Sequence, residues 1–325
     1  MLRVVGLNVK FYTHAGVVHA ASNVSFRVYE DEVVALVGET GCGKTVSTKA
    51  ITKLIDTPGR IEGGIALFRR KSGTIVDLLR LSEEELRKIR GYEICYVFQD
   101  PTSALDPLYT AGEHIIETIK AHSKGIGKKD ALKTSIELLK KVLIPSPEVR
   151  VKNYPHELSG GMRQRIVIAT AIANKPKLLI ADEPTTNLDV TVQAQILELL
   201  NELRKRYSMS MILITHNLGV VAEVADRVYV MYAGKIVEHA RVEDLFEKPQ
   251  HPYSRMLLKA IPDPTRKTKR LETIPGTVPS LIDPPPGCRF ASRCPYAKEV
   301  CKKDEPPTIR VEEGHDVACW LYYGR

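Results

Sequence analysis

Along its first 240 positions the chain switches repeatedly between two hydrophobic rhythms. Short unbroken apolar runs, VVALVG, ICYVFQ, KLLIADE and MSMILITH, read as strands buried on both faces. Between them SEEELRKIRG, DALKTSIELLKKVL and TVQAQILELLNELRKRY carry the spacing of helices. This alternation predicts an α/β fold built on a layered sheet. The rhythm breaks after residue 240. Twelve of the 20 prolines lie beyond it, in pieces such as IPDP, IPGTVPS and DPPPG. Locked φ and missing N–H groups exclude long helices and central strands there. Residues 241–325 are therefore expected to be a compact, loop-rich appendage to a larger body, residues 1–240.

Composition narrows the class. With 325 residues and 43% hydrophobic side chains the chain can bury a sizeable core. It contains no internal repeat or low-complexity tract. No run approaches the roughly 18–20 apolar residues that span a bilayer. The opening MLRVVGLNVKF lacks the basic, apolar and small-residue layout of a signal peptide, so a cytoplasmic location is expected. Net charge is +8, yet it is spread: residues 1–240 hold 32 basic and 27 acidic side chains, residues 241–325 hold 15 and 12. No concentrated basic stripe marks a nucleic-acid face, and no nucleic-acid partner is expected.

The chemistry starts after the strand VVALV with GETGCGKT, that is Gly38, Glu39, Thr40, Gly41, Cys42, Gly43, Lys44 and Thr45. It fits G-x-x-x-x-G-K-[ST] at every fixed position and stands where strand passes to helix. Such a loop turns backbone amides toward phosphates, with Lys44 charging the β and γ groups and the Thr45 hydroxyl facing Mg²⁺. A second strand, KLLIADEP, delivers two carboxylates to its C-terminal edge. Asp182 is expected to hold Mg²⁺, and Glu183 to act as general base on the attacking water.

Between these halves stands LSGGMRQR, and around it lie Gln99 in YVFQDP, Asp189 closing TNLD, and His216 in LITHN. Five ordered motifs over about 180 residues resemble the nucleotide-binding subunits of ABC transporters. The resemblance implies the P-loop ABC-type fold: a RecA-like core plus a helical subdomain, roughly residues 98–165, on which a membrane permease docks. Ser159, Gly160 and Gly161 would face the γ-phosphate held by a second ATP-binding subunit. His216 would contact the γ-phosphate beside Glu183, Gln99 would reach metal and water, and Asp189 would align the two sites. Either Phe11 or Tyr12 would stack on adenine. Two departures are visible: Met162 stands where many members have glutamine, and Asn187 where alanine is frequent. Backbone donors and Gln164 remain, so activity is expected to survive.

HPYSRMLLKAIP (His251 to Pro262) followed by GCRFASRCPYAKEVC is similar to the C-terminal extension of dipeptide and oligopeptide importer ATPases, a group that includes nickel importers. That resemblance implies an ATPase at the cytoplasmic face of the membrane, paired with a paralogous subunit or a second copy. An external peptide-binding protein would act indirectly. The competing class is a soluble ABC ATPase working on nucleic acid or ribosomes, but those usually carry two cassettes or a coiled-coil insertion. The extension also gathers Cys288, Cys294, Cys301 and Cys319 within 32 residues. Isolated thiols, two disulfides, a zinc site or an iron–sulfur cluster are the alternatives. A segment so poor in apolar residues is expected to need a staple. The gaps are wider than zinc knuckles. Together with the importer resemblance, that spacing favours a [4Fe–4S] cluster.

Overall fold

The computed structural model describes residues 1–123, 125–186, 188–260 and 274–324. Asn187, the IPDP piece and the last two residues of HPYSRMLLKAIP lie outside them. β1 (Leu2–Thr13) and β2 (Gly16–Val28) pair antiparallel, and the next strand, β3 (Val33–Val37), enters a different sheet. β4 (Gly59–Arg69) returns beside β1 and carries β5 (Ile75–Asp77) at its edge. This smaller antiparallel sheet was not foreseen, because its strands alternate irregularly and are interrupted by register shifts.

The larger sheet is the layered one expected from the apolar runs. β6 (Ile94–Val97), β7 (Leu178–Asp182), β8 (Ser210–Ile214), β3 and β9 (Arg227–Tyr232) run parallel, side by side in that order. β3, β7 and β8 are buried at every position. Successive side chains on a strand point to opposite faces. Val33, Ala35 and Val37 therefore enter one core with Leu179 and Met211, while Val34 and Leu36 enter the other with Ile180 and Ile212. Three helices on the first face, Ala111–His122, Lys128–Lys141 and Gly160–Ile172, come from the stretch between β6 and β7. The small antiparallel sheet covers the second face, through Leu2, Val4, Phe26 and Phe68.

β10 (Lys235–Arg241) turns back antiparallel on β9, and the extension continues that edge. β11 (Thr308–Glu312) and β12 (His315–Ala318) form a hairpin whose second strand pairs with β10. The tail thus joins the sheet at its margin through two strands that contain no proline, and its described prolines lie outside them.

One expectation fails here. Among the described residues no group of three or more His, Cys, Asp or Glu is arranged to hold a metal ion. Cys288, Cys294, Cys301 and Cys319 are all free thiols. The iron–sulfur cluster, the zinc alternative and the metal-binding assignment of the tail are therefore corrected. The physical reason lies in what anchors the segment. The expected staple presumed that the tail lacks a core of its own, but it shares the main one: Phe290, Val317 and Tyr253 are buried, with Phe290 and Tyr253 in the first core. Phe290 stands edge-on to Tyr232 of β9, 5.1 Å between ring centres. Burying such a ring contributes about 1.5–3 kcal/mol. Burial also pushes the Cys288 thiol up to about 11, and raises Cys294 and Cys319, which favours neutral thiols over thiolates.

Polar contacts complete the anchorage. Glu238, on β10 and almost wholly buried, accepts from the Gln250 and His251 N–H groups and lies 2.7 Å from His315 Nε2 on β12. The His251 ring accepts the Tyr253 N–H at Nδ1, 3.0 Å away, and so caps the helix Pro252–Lys259. Its burial drives the imidazole pKa down to about 4, against about 6.5 in an unfolded chain. The unfolded state binds the extra proton between these values. Stability from this site is complete above about pH 6.5 and falls as pH drops toward about 4, by about 3 kcal/mol in all. Melting temperature measured against pH should show that decline, and His251→Asn, which keeps an acceptor for the cap, should flatten it. Identical slopes in the two proteins would show that His251 is not the sensor.

Candidate nucleotide site

The C-terminal ends of the parallel strands deliver the motifs to one edge of the sheet, as open α/β sheets do. After β3 the chain turns through Gly38–Gly43 into the helix Lys44–Ile51. Lys44 is only 5% exposed. Its ammonium donates to the carbonyl oxygens of Gly38, at 2.7 Å, and Glu39, at 3.1 Å. The loop therefore curls around the charge it presents. Gly43 caps the helix at φ 98°, and a Cβ there would stand 2.2 Å from the Ala20 carbonyl oxygen of β2. Glycine alone fits both the left-handed backbone and the close approach.

A cleft of about 400 Å³ opens over this loop. Thr40 to Val46 form its floor, Gln99, Glu183 and His216 one side, and Phe11, Val18, Ala20 and Leu281 an apolar side. Phe11 faces the cleft, whereas the Tyr12 hydroxyl donates to Glu62, 3.0 Å away. The Thr45 hydroxyl donates to Asp182 Oδ1 at 2.9 Å, so two of the three sequence-predicted Mg²⁺ contacts meet, while the third, Gln99, turns its amide nitrogen to Glu183. Burial pushes the Asp182 carboxyl above its ordinary value, the Thr45 hydroxyl opposes this, and the Glu183 charge adds to it. A hydroxyl beside a carboxylate whose charge burial disfavours suits a hard divalent cation.

Glu183 sits at φ 45°, a left-handed turn for a non-glycine residue at the end of β7. Backbone strain of this kind costs of order 1–3 kcal/mol and persists where the surroundings impose it. Its N–H donates to the Ile214 carbonyl of β8. Its Oε2 accepts from Gln99 Nε2 at 2.9 Å and from the Thr186 hydroxyl at 3.1 Å, and its Oε1 lies 3.4 Å from His216 Nδ1. Three strand ends thus converge on one carboxylate. Sequence reading missed Thr186, although a hydroxyl three residues beyond a strand-end acid is a local signal.

Ser159, Gly160 and Asp189 are not in the cleft. Ser159 is the N-cap of Gly160–Ile172, its hydroxyl accepting the Met162 N–H, and Asp189 caps Val190–Tyr207 by accepting from the Val192 N–H. Ser159, Gly160 and Asp189 are exposed, and Gly161 is half-buried with Val192 close by. Leu281 was missed for a different reason: it arrives from the far end of the chain. Its carbonyl accepts the His19 N–H at 2.8 Å, so a piece of the extension lies along β2.

Comparison with known proteins agrees with this geometry. Residues 21–186 match the ABC transporter family, and residues 237–301 match the oligopeptide/dipeptide transporter C-terminal region. The dipeptide transport ATP-binding protein DppD of Bacillus subtilis is 48% identical over 322 residues, covering 99% of this chain and 94% of that protein. The oligopeptide transport ATP-binding protein OppD of the same organism is 49% identical over 325 residues, covering 99% and 89%. Among solved structures, the dimeric ATP-binding cassette MJ0796 bound to ADP and Pi superposes with a TM-score of 0.66 at 26% identity, covering 74% of this chain and 99% of that one.

The loop geometry makes a direct test available. Gly43→Ala introduces both φ strain and a clash with backbone, and is expected to cost several kcal/mol of local stability, roughly the sum of two such penalties. Nucleotide affinity should fall at least tenfold. Gly41→Ala, where a Cβ would meet nothing within 4 Å, should cost less stability. Equal melting temperatures for the two variants would contradict the close approach to Ala20.

Proposed function

The chain belongs to the ABC transporter ATP-binding family, in the branch bearing the oligopeptide/dipeptide transporter C-terminal region, and we propose that it is the ATP-hydrolysing subunit powering import of di- or oligopeptides. The observation that supports hydrolysis most directly is the Glu183 carboxylate, held by Gln99, Thr186 and His216 above the Lys44 loop.

In this reading ATP is the substrate. Lys44 and the loop amides bind its phosphates, and Phe11, not Tyr12, meets the base. Thr45 and Asp182 would hold Mg²⁺, which when bound neutralises charge on the β- and γ-phosphates. Glu183 orients and deprotonates the attacking water as general base. Gln99 and Thr186 donate to its Oε2, which aims the carboxylate, and His216 stands on its other oxygen within reach of the γ-phosphate. Because Ser159, Gly160 and Asp189 face outward, the site is completed by the same exposed residues of a second ATP-binding subunit, and a paralogous partner is proposed. Among the described residues no helix is long and apolar enough to cross a membrane. The transmembrane path therefore belongs to permease subunits, which this chain meets at the cytoplasmic face through residues 98–165. Residues 1–240 act as the ATPase unit, and residues 241–325 as its extension. An external binding protein selects the peptide.

Replacing Glu183 with Gln should leave ATP bound and lower hydrolysis about 10²–10⁴-fold, the usual range for a positioned base. Phosphate release by the purified chain together with its partner measures this, and a parent-like rate would remove Glu183 from the role. Assembly gives a second check. Mixed dimers with Ser159→Ala in one chain and Lys44→Ala in the other should hold at most one intact site and lose about half or more of the activity. Dimers that form equally well without ATP, through another surface, would contradict the shared-site arrangement.

A further inference from the structure

Two sets of contacts tie the proline-rich extension to the nucleotide cleft, although the segments they join lie at opposite ends of the chain. The first is a strap. The Val18 and Ile282 backbones form an antiparallel bridge, the His19 N–H donates to Leu281, and a Cβ on Gly16 would stand 2.6 Å from Ile282 Cγ2. The strap is thus seated directly on β2, and Leu281 is left lining the cleft beside Phe11 and Val18. The second is an arginine. Arg293 is buried, and its guanidinium donates to Glu39 Oε2 at 2.9 Å, to the Tyr232 hydroxyl at 3.2 Å and to the carbonyls of Pro275 and Ile274. Glu39 is a phosphate-loop residue. Its carbonyl accepts from the Lys44 ammonium, and its N–H donates to the Tyr253 hydroxyl, also from the extension.

We propose that the C-terminal extension is a working part of the nucleotide site. Leu281 completes the apolar wall against the base, and Arg293 is a positioning residue that holds the phosphate loop in its binding shape through Glu39. This rests on the reading of the cleft as an ATP site and deepens it. The physical case is one of preorganisation. A loop rich in glycine loses much backbone freedom on closing around phosphate. A buried, multiply bonded guanidinium fixes the Glu39 side chain, while the Tyr253 hydroxyl fixes its N–H, before any ligand arrives. The Glu39 carbonyl is then aimed at Lys44. The wall residue acts on a different part of the ligand. An aliphatic side chain beside an aromatic one recognises a flat apolar ring and has nothing to offer a phosphate.

The two halves therefore make separable predictions, readable by calorimetric titration of the full chain with ATP and with inorganic tripolyphosphate. Leu281→Ala should weaken ATP about tenfold or more, the lower end of what a methylene lost from an apolar pocket costs, and leave tripolyphosphate unchanged. Arg293→Gln should weaken both ligands by a similar factor, about tenfold or more. Since Arg293→Gln leaves the Glu39 carboxylate without its counter-charge beside the phosphate loop, Arg293→Gln/Glu39→Gln should recover part of the loss, and Glu39→Gln alone, which removes negative charge from an anion site, should lose less than Arg293→Gln. Thermal melting without ligand establishes that each variant is folded. Should Arg293→Gln fail to fold, Glu39→Gln and Leu281→Ala still decide the matter: parent-like affinity of both for both ligands would overturn the proposal. Loss of tripolyphosphate binding in Leu281→Ala would overturn the wall assignment. Lys44→Ala serves as the control for the underlying reading. If the parent binds ATP and Lys44→Ala does not, while the extension variants bind normally, the ATP site stands and this inference falls. Absence of ATP binding by the parent would remove both.

Discussion

A single buried ammonium sets the terms for the rest of the molecule. Lys44 is taken almost entirely out of water, and a charge so placed needs oxygen partners at hydrogen-bond distance. The carbonyls of Gly38 and Glu39 supply them, and they reach the ammonium only because the loop folds back over its own helix. That curl demands left-handed backbone at Gly41 and Gly43 and close approach to Ala20. It also demands a rigid base. β3, buried at every position and flanked by β8 and β9, is that base. Placing it inside the sheet brings the ends of β6, β7 and β8 to the same edge, and with them Gln99, Asp182, Glu183 and His216.

The two consecutive carboxylates show how local backbone divides labour. On a regular strand Asp182 and Glu183 would point to opposite faces. The left-handed turn at Glu183 ends the strand between them, so Asp182 stays within the sheet and meets Thr45, while Glu183 swings into the company of Gln99, Thr186 and His216. Their environments differ accordingly. Asp182 is held in burial that disfavours its charge, a cost that a bound cation would offset. Glu183 lies nearer the cleft, ringed by donors that fix its direction. Neighbours in sequence thereby stand in separate surroundings, which supports the proposed division between a metal and a water.

Much of this was legible in the chain because it is local. The strand–loop–helix order around GETGCGKT, the apolar run ending in Asp182 and Glu183, and the histidine after MSMILIT are short-range patterns. Short-range patterns fix where a side chain leaves the backbone. The choice between Phe11 and Tyr12 was not legible, since adjacent strand residues face opposite ways and only the pairing of β1 decides which turns inward. The antiparallel sheet that carries them was invisible for a related reason: its bulges break the two-residue period on which strand reading depends. The contacts of Leu281 and Arg293 have no local signature at all. They exist because the tail crosses back over β2 and the phosphate loop, which follows from tertiary packing alone.

The tail also shows where a composition argument misleads. A segment with twelve prolines and few large apolar residues cannot build an independent core, and small units in that position are often held by metals or disulfides. That reasoning assumes independence. Here the segment adds its strands to an existing edge, packs Phe290 against Tyr232 and Tyr253, and sets its arginines on backbone carbonyls and on Glu39. Its apolar poverty is tolerable because each anchor uses surface that the larger body already presents. That dependence has a structural consequence. The surface beside β2 also borders the nucleotide cleft, through Val18 and Ala20, so the piece of tail seated there lies at the site. Part of what anchors the extension, the Arg293 and Tyr253 contacts to Glu39, is thus also part of what shapes the phosphate loop.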